Sequence, residues 1–143
     1  MTKARELRFA FVFDDYDATL QLFREVFGLE ALAHFDHEGG RGVMLRVPSA
    51  TLELFDRAYA RHVDDVEVGG PADDKGPAEG RARIAVNVEN LAEASAAAEA
   101  AGATPVAARV ETPWGDHNQR LRIDGGFQLT LFQSSPDKSP AAE

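Results

Sequence analysis

Hydrophobic and polar residues follow the same order of patterns twice along the chain. The first half is typical of a strand, a helix and three further strands, at residues 7–13, 16–27, 29–35, 42–47 and 51–55. The second half repeats that order, at residues 81–88, 91–101, 103–110, 118–123 and 127–133. The halves share this pattern rather than their letters. We therefore predict an α+β fold of two tandem βαβββ modules, with a mixed sheet and the helices on its outside.

Short local motifs mark the ends of both long helices. The Asp-Asp pair at 14–15 precedes the first helix as an N-cap, and Gly28 follows it in the position where helices commonly end. Asn90 and Glu93 have the spacing of a capping box before the second helix, which ends at Gly102. These motifs support the placement of one helix in each module.

The middle and the end of the chain have a different composition. Residues 57–80 are rich in Asp, Gly, Pro and Ala, which predicts a linker with a short helix near residues 58–63. A disordered tail is expected at 134–143. The chain is thus expected to be one domain, with module one at about 6–56 and module two at about 81–133.

Strand alternation sorts the side chains onto two faces of the predicted sheet. One face is uniformly large and apolar, so it must pack under the helices. The other face mixes charged, amide, hydroxyl and aromatic groups with small residues, which is typical of a small-ligand cavity, although a plain solvated face has the same alternation. The predicted ligand-binding residues, with Trp114 on a neighbouring loop, are Arg8, Ala10, Glu53, Phe55, Arg83, Asn87, Trp114, Gln128, Thr130 and Phe132.

Composition excludes several classes of function. The chain has 143 residues and no cysteine, which rules out disulfides, thiolate metal sites and a cysteine nucleophile and fits a cytoplasmic protein. A net charge of −9 disfavours nucleic acid as a partner. No apolar stretch approaches the length of a membrane span, and no signal peptide is evident. The expected partner is therefore a small molecule, and the acidic charge favours a cationic one.

Several segments have an order and spacing that are typical of one family. They are FDD at 13–15, LFREVFGLE at 22–30, TLELF at 51–55, IAVNV at 84–88, AGA at 101–103, TPWGD at 112–116 and DGGFQLTLF at 124–132. By these segments the chain resembles the vicinal oxygen chelate superfamily, which groups glyoxalase I, bleomycin-resistance proteins and extradiol dioxygenases. The resemblance implies a cup-shaped sheet and frequent dimers, so we expect a homodimer.

The resemblance also allows a test for the family's metal site. Metal-dependent members use four His, Glu or Gln ligands on the first and last strands of each module, and the matching positions here are Arg8, Glu53, Arg83 and Thr130. Arginine has no lone pair to give, and a threonine hydroxyl is a poor ligand. We therefore predict no metal and no cofactor. The histidines at 34, 37, 62 and 117 form no metal-binding motif.

Two interpretations remain open for the side chains at these positions. Arg8, Glu53 and Arg83 either form an ion-pair cluster in place of the metal, or leave one guanidinium to hold an anionic group of the ligand. Trp114, the only tryptophan, either stacks on a flat ligand or wedges its loop against the sheet.

Three functions remain as hypotheses. The first is a metal-free protein that binds an aromatic or cationic small molecule, like the drug-sequestering branch of the family. The second is a lyase, isomerase or dioxygenase in which Glu53 is the catalytic residue, with an unrecognised metal or with Arg8 or Arg83 stabilising an enolate. The third is a regulatory or interaction module without a ligand, and a cavity filled by its own side chains would support it.

Overall fold

The computed structural model describes residues 5–6, 8–51, 53–70 and 82–135. Its helices and strands confirm the predicted α+β class. Their bounds are α1 Tyr16–Gln21, continued by a π-helical segment Leu22–Val26, then β1 Ala31–His37, β2 Gly40–Leu45, α2 Arg57–Val68, β3 Ile84–Asn87, α3 Leu91–Ala100, β4 Thr104–Pro105, β5 Val110–Glu111, β6 Asp116–Ile123 and β7 Phe127–Ser134.

Module two forms a sheet with the strand order β3-β7-β6-β4, and β5 also pairs with β6. β3 runs parallel to β7, whereas β6 is antiparallel to β7, β4 and β5. The cross-strand pairs of β6 and β7 alternate between a polar face, with Arg120 opposite Thr130, and an apolar face, with Leu121 opposite Leu129. The face assignment made from the sequence is therefore confirmed for β7, and β6 follows the same alternation.

The hydrophobic core lies on the apolar face of this sheet, under α3 and the π-helical segment. Its buried members are Leu22, Leu91, Ala98, Ala103, Leu121, Ile123, Leu129 and Leu131. Leu22 comes from the helix of module one, so both modules contribute to one core. Each fully buried leucine stabilises the fold by about 1.5–3 kcal/mol relative to an exposed one.

Module one is less regular than predicted. Its paired strands in the described part of the chain are β1 and β2, which form an antiparallel hairpin. No described residue of the runs 7–13 and 51–55 lies in a strand, and Val12 and Leu54 are 94% and 85% exposed. Alternation gives these runs the propensity for a strand, but a strand also needs a neighbour to accept its backbone hydrogen bonds.

The first of these runs is anchored by aromatic contacts. The rings of Phe9, Phe11 and Phe13 follow one another at centroid distances of 6.5 and 6.3 Å, as expected for residues on one face. Phe127 of β7 meets Phe11 and Phe13 edge-on, at 5.4 and 5.2 Å. These contacts attach the start of module one to the end of module two, without a backbone ladder.

The start of α1 is held by two aspartates, one from each module. Asp15 caps the helix, since its side chain accepts a hydrogen bond from the Ala18 N–H at 3.0 Å. Asp124, in the turn between β6 and β7, accepts the backbone N–H groups of Asp14 and Asp15 at 2.8 and 2.7 Å. The predicted cap is therefore confirmed, and a contact between the modules reinforces it.

The region predicted as a linker contains a longer helix than expected. α2 spans twelve residues, with Asp56 as its N-cap and Gly69 ending it at a φ of +74°. The predicted helix at 58–63 covers only its first half, and the remainder of the linker, at 71–80, lies outside the described residues, as does the tail beyond residue 135. Within the described ranges, no helix is long and apolar enough to cross a membrane.

Candidate functional site

The polar face of the module-two sheet lies under α2, which packs against β5 and β6. Asp64 and Glu67 are three residues apart on this helix and therefore point from the same side of it. Both are buried, and the Asp64 side chain has no exposed surface. Helix α2 thus places two carboxylates over the face that was predicted to line a ligand cavity.

Asp64 binds two guanidinium groups with a single oxygen. Nη1 of Arg83, which immediately precedes β3, donates to Asp64 Oδ1 at 2.6 Å. Nη1 of Arg120, in the middle of β6, donates to the same oxygen at 2.8 Å. The Asp64 carboxylate therefore bridges two strands that are not neighbours in the sheet.

Glu67 is held by three donors from the sheet. Arg120 donates to Glu67 Oε2 through Nη2, and Thr130 Oγ1 donates to the same oxygen at 2.8 Å. Asn118 Nδ2 donates to Glu67 Oε1 at 3.1 Å. Arg120 and Thr130 are a cross-strand pair, so residues of both β6 and β7 donate hydrogen bonds to this carboxylate.

The charges of this cluster balance, but its hydrogen bonding is incomplete. Two guanidinium groups face two carboxylates, so the desolvated charges are paired. Among the described residues, four buried atoms of the cluster find no hydrogen-bond partner, namely Asp64 Oδ2, Arg83 Nη2, Asn118 Oδ1 and Arg120 Nε. Buried polar atoms of this kind are usually satisfied in proteins by an ordered water molecule or by a polar group of a ligand.

An aromatic patch lies at the edge of this cluster. The rings of Phe55 and Tyr59 meet at a centroid distance of 5.0 Å, and His62 follows at 5.9 Å from Tyr59. The Arg83 guanidinium carbon is 6.0 Å from the centre of the Phe55 ring, at the outer limit of a cation–π contact. The Arg83 side chain is 20% exposed against 5% for Arg120, so Arg83 is the arginine that reaches the surface.

The structure brings together part of the predicted ligand-binding set. Phe55 and Arg83 are neighbours, and Thr130 and Gln128 are buried on the same sheet face. Phe132 is half-buried on that face, and Asn87 donates to Ser134 Oγ at 3.5 Å from the exposed end of β3. Trp114 is half-buried on a loop that Thr112 closes by accepting the Asp116 N–H, and its role stays a prediction.

The module-one members of the set lie elsewhere. Arg8 is exposed and pairs with Glu6 at 2.9 Å, a hydrogen bond that raises the pKa of the Arg8 guanidinium. Ala10 and Glu53 are exposed. The interpretation of Arg8, Glu53 and Arg83 as one ion-pair cluster is therefore corrected for Arg8, because Arg8 binds Glu6 and Arg83 binds Asp64. Its physical reason is that residues 8–13 join no sheet in the described structure, so nothing directs Arg8 toward Arg83.

The sequence interpretation missed four residues of the observed cluster. Asn118 and Arg120 alternate along a strand that was predicted correctly, so their position on the polar face was available from the pattern. Asp64 and Glu67 were hidden in a region assigned to a linker. The helical cap Asp56, the helix end at Gly69 and the i, i+3 spacing of the two acids are the features that indicate them.

A second concave region, between the start of α1 and the β6–β7 turn, is rich in aspartate but already satisfied. Asp15 and Asp124 accept the backbone hydrogen bonds of the helix start. Asp17 accepts Arg41 Nη1 at 2.7 Å, and this hydrogen bond, together with the charge of Arg41, holds the pKa of Asp17 below its usual value. The acidic groups here stabilise the fold and leave no set free for a ligand.

The residues at the family's metal positions do not fit a metal ion. Arg83 and Thr130 both act as hydrogen-bond donors, to Asp64 and Glu67 respectively. A guanidinium group has no lone pair to give to a cation, and the Thr130 hydroxyl, whose proton is directed at Glu67, is a poor metal ligand. Across the described ranges, no group of three or more His, Cys, Asp or Glu side chains is arranged to hold a metal.

Comparison with known proteins identifies the family. The family model for the Glyoxalase/Bleomycin resistance protein/Dioxygenase superfamily matches residues 7–131. No curated protein matches the chain.

Solved structures with a similar fold include a glyoxalase/bleomycin resistance protein/dioxygenase from Nocardioides, at 19% identity and a TM-score of 0.46 over 92% of this chain and 83% of that one. TioX from Micromonospora sp. ML1 is similar at 16% sequence identity and a TM-score of 0.46, over 90% of this chain and 94% of that one. A glyoxalase-related enzyme from Fulvimarina pelagi is similar at 15% sequence identity and a TM-score of 0.47, over 89% of this chain and 89% of that one. By the family match over residues 7–131, the chain belongs to the glyoxalase/bleomycin resistance protein/dioxygenase superfamily.

Proposed function

We propose that this protein binds and sequesters a small molecule without metal chemistry, at the polar face between α2 and the module-two sheet. The observation that carries the proposal is the pairing of Arg83 and Thr130 with Asp64 and Glu67. At two positions where metal-using relatives place ligands, this chain places donors that hold carboxylates. The groups needed for catalysis on a metal are thereby replaced at these two positions.

The aromatic patch supports an aromatic ligand at the edge of this face. Tyr59 is 42% exposed and lies against Phe55, which in turn lies beside Arg83. A ring stacked here would bury apolar area and meet a guanidinium group at its edge. The net charge of −9 favours the approach of a cationic compound, so aromatic and cationic ligands are both expected classes.

The enzymatic alternative has weaker support in the geometry. Glu53, its expected catalytic residue, is exposed rather than set in the buried cluster. The buried carboxylates of Asp64 and Glu67 each accept hydrogen bonds from at least two donors. Asp64 Oδ2 accepts none from the described residues, but the Asp64 side chain has no exposed surface from which a substrate could be reached. A general base needs a free lone pair within reach of the substrate proton.

Two measurements test the proposal. Elemental analysis of protein purified without chelator should find no stoichiometric Zn, Ni, Mn or Fe. A thermal-shift and native mass spectrometry screen of aromatic cations and aromatic carboxylates should find a ligand whose affinity falls about two- to twelvefold in Phe55→Ala, because a lost aromatic contact is worth about 0.5–1.5 kcal/mol.

Phe35→Ala is the matched control, since Phe35 is an exposed aromatic residue on β1. Its ligand affinity should equal that of the unchanged protein. Stoichiometric metal that disappears in Glu53→Ala would overturn the proposal in favour of an enzyme.

A second candidate, an interaction module without a small-molecule ligand, also has a specific observation in its favour. The polar face is filled by side chains of the chain itself, Asp64 and Glu67. This candidate requires that no compound class in the screen binds. A ligand that binds saturably, and whose affinity Phe55→Ala lowers, would contradict this candidate and support the small-molecule-binding protein.

We also propose that the protein is a homodimer whose contact includes module one. The support is the set of large apolar side chains that module one leaves exposed, which comprises Phe9, Phe11, Val12, Leu32, Phe35, Val47 and Leu54. Large apolar side chains that one module leaves exposed in this number are typical of an association surface. A second copy of the chain would remove this surface from water.

Sedimentation equilibrium should therefore find a dimer, and Val12→Asp should weaken it at least about tenfold, because a buried unpaired charge is costly. Ala108→Asp places the same charge at an exposed position of module two and should leave the dimer unchanged. A protein that is monomeric at every concentration up to its solubility limit would refute the dimer.

A further inference from the structure

Four hydrogen-bond donors of the module-two sheet contact the two buried carboxylates of α2, and we call them the donor cluster: Arg83, Asn118, Arg120 and Thr130. They come from three strands that are adjacent in the order β3-β7-β6. Asn118 and Arg120 are two residues apart on β6, Thr130 lies opposite Arg120 on β7, and Arg83 immediately precedes β3. Two guanidinium groups, a hydroxyl and an amide are the groups with which proteins bind phosphate and carboxylate. The donor cluster is therefore built on the most regular part of the fold.

The groups that occupy the donor cluster all belong to one helix. Asp64 and Glu67 lie one turn apart on α2, and both are carboxylates, the chemistry that the donors select. Val63 and Val68 of α2 are buried, but they lie outside the main hydrophobic cluster, which is on the opposite face of the sheet. Donors and acceptors are thus separable at the cost of exposing these two valines, because the main cluster stays covered when α2 moves.

The carboxylates of α2 fit the donor cluster incompletely. Asp64 Oδ1 serves both guanidinium groups, whereas Asp64 Oδ2 meets no donor among the described residues. Arg83 Nη2 and Arg120 Nε meet no acceptor in the same part of the chain. Guanidinium groups bind most strongly when two nitrogens contact two oxygens side by side. A ligand with more acidic oxygens can satisfy atoms that α2 leaves unmatched.

We infer that the donor cluster is a binding site for a small anion with at least two acidic oxygens, a phosphate or a dicarboxylate, and that Asp64 and Glu67 occupy it as a built-in substitute. The anion replaces the two carboxylates at Arg83 and Arg120, and α2 is displaced from the sheet. This inference rests on the proposed function, since it concerns the same sheet face, and it assigns an anion to the donor cluster in place of the cationic class that the net charge favours.

The test removes the substitute and supplies the anion. In Asp64→Asn/Glu67→Gln, inorganic phosphate or succinate should raise the melting temperature in a saturable way, with a dissociation constant at least about tenfold lower than in the unchanged protein. Sodium chloride at matched ionic strength should not reproduce the effect. A response to phosphate alone assigns a phosphate ligand, and a response to succinate alone assigns a dicarboxylate.

Two matched variants make the result specific. Glu25→Gln/Glu99→Gln changes the net charge equally at two exposed positions and should not gain anion binding. Adding Arg120→Met to the Asp64→Asn/Glu67→Gln variant should abolish it. A folded Asp64→Asn/Glu67→Gln variant that responds no more than the Glu25→Gln/Glu99→Gln control overturns the anion site.

A measurement on the unchanged protein covers the case in which the double variant does not fold. Arginine Nε–Hε resonances report guanidinium contacts directly, and phosphate or succinate should shift those of Arg83 and Arg120 with saturation but leave the exposed Arg46 unaffected. No shift at either arginine up to the solubility of the anions overturns the inference. If an uncharged aromatic ligand still binds and Phe55→Ala weakens it, the anion site fails while the proposed function stands.

Discussion

Replacing Arg120 with methionine is expected to lower the free energy of unfolding by about 3–5 kcal/mol in urea denaturation, because the buried ion-pair network loses one of its two positive charges. The Arg120 side chain is 5% exposed and bridges Asp64 and Glu67. Methionine keeps much of the apolar stem but removes both hydrogen bonds. Two buried carboxylates would then face Arg83 as their remaining cation in this cluster.

Two comparisons separate this effect from a general loss of surface charge. Arg46→Met removes an exposed arginine that is 3.3 Å from Glu30, and exposed pairs of this kind contribute about 0–1 kcal/mol. Arg120→Met combined with Glu67→Met should recover part of the lost stability, because the remaining pair of Asp64 and Arg83 is neutral. A cost for Arg120→Met no larger than that for Arg46→Met would contradict the buried network.

Leu129→Ala is expected to destabilise the protein by about 2–5 kcal/mol, through lost burial and the cavity that the missing atoms leave. Leu129 is 0% exposed and faces Leu121 across the β6–β7 pair and Ile84 across the parallel β3–β7 pair. It therefore lies where three strands meet under α3. Chemical denaturation measures the loss, and an unchanged slope against denaturant would show that the denatured state is unaffected.

Thr104→Ala is the control for this substitution. Thr104 lies on β4 of module two and is exposed, so truncation there should cost less than about 1 kcal/mol. An equal loss at the two positions would contradict the location of the core under α3.

Module two could be predicted from the sequence because its determinants are local. Alternation in residues 118–123 and 127–133 predicted strands that the structure extends by only two residues and one residue, as β6 and β7. Asn90 caps α3 by accepting the Glu93 N–H at 3.0 Å, as the capping-box spacing indicated. The short β4 and β5 replaced one continuous strand at 103–110, because each makes only two backbone pairings with β6.

Module one shows the limit of the same reasoning. The runs 7–13 and 51–55 alternate as well as those of module two, yet their described residues join no ladder. A pattern of side chains states which face would be buried, but it does not supply the neighbouring strand. The prediction that Arg8 lies in a central cluster was wrong because it depended on a strand at 7–13, and the described residues of that run form none.

The donors of the candidate site were predictable from the sequence, but the carboxylates that they bind were not. Strand alternation placed Arg83 and Thr130 on the polar face correctly. The occupants of that face, Asp64 and Glu67, come from a helix whose burial depends on the arginines it meets. Isolated acidic residues in a Gly- and Pro-rich region favour solvent, and only the tertiary contact with Arg120 reverses that preference.

The distance along the chain between α2 and its partners governs the order in which the protein is assembled during synthesis. Asp64 precedes Arg120 by 56 residues, and Glu67 precedes Thr130 by 63. The helix therefore leaves the ribosome well before the strands that neutralise it, and contacts so remote in sequence form late because of the loop that they must close. During that interval the two carboxylates are hydrated, and they act as a solubilising gatekeeper for a nascent chain whose apolar strands are still unpaired.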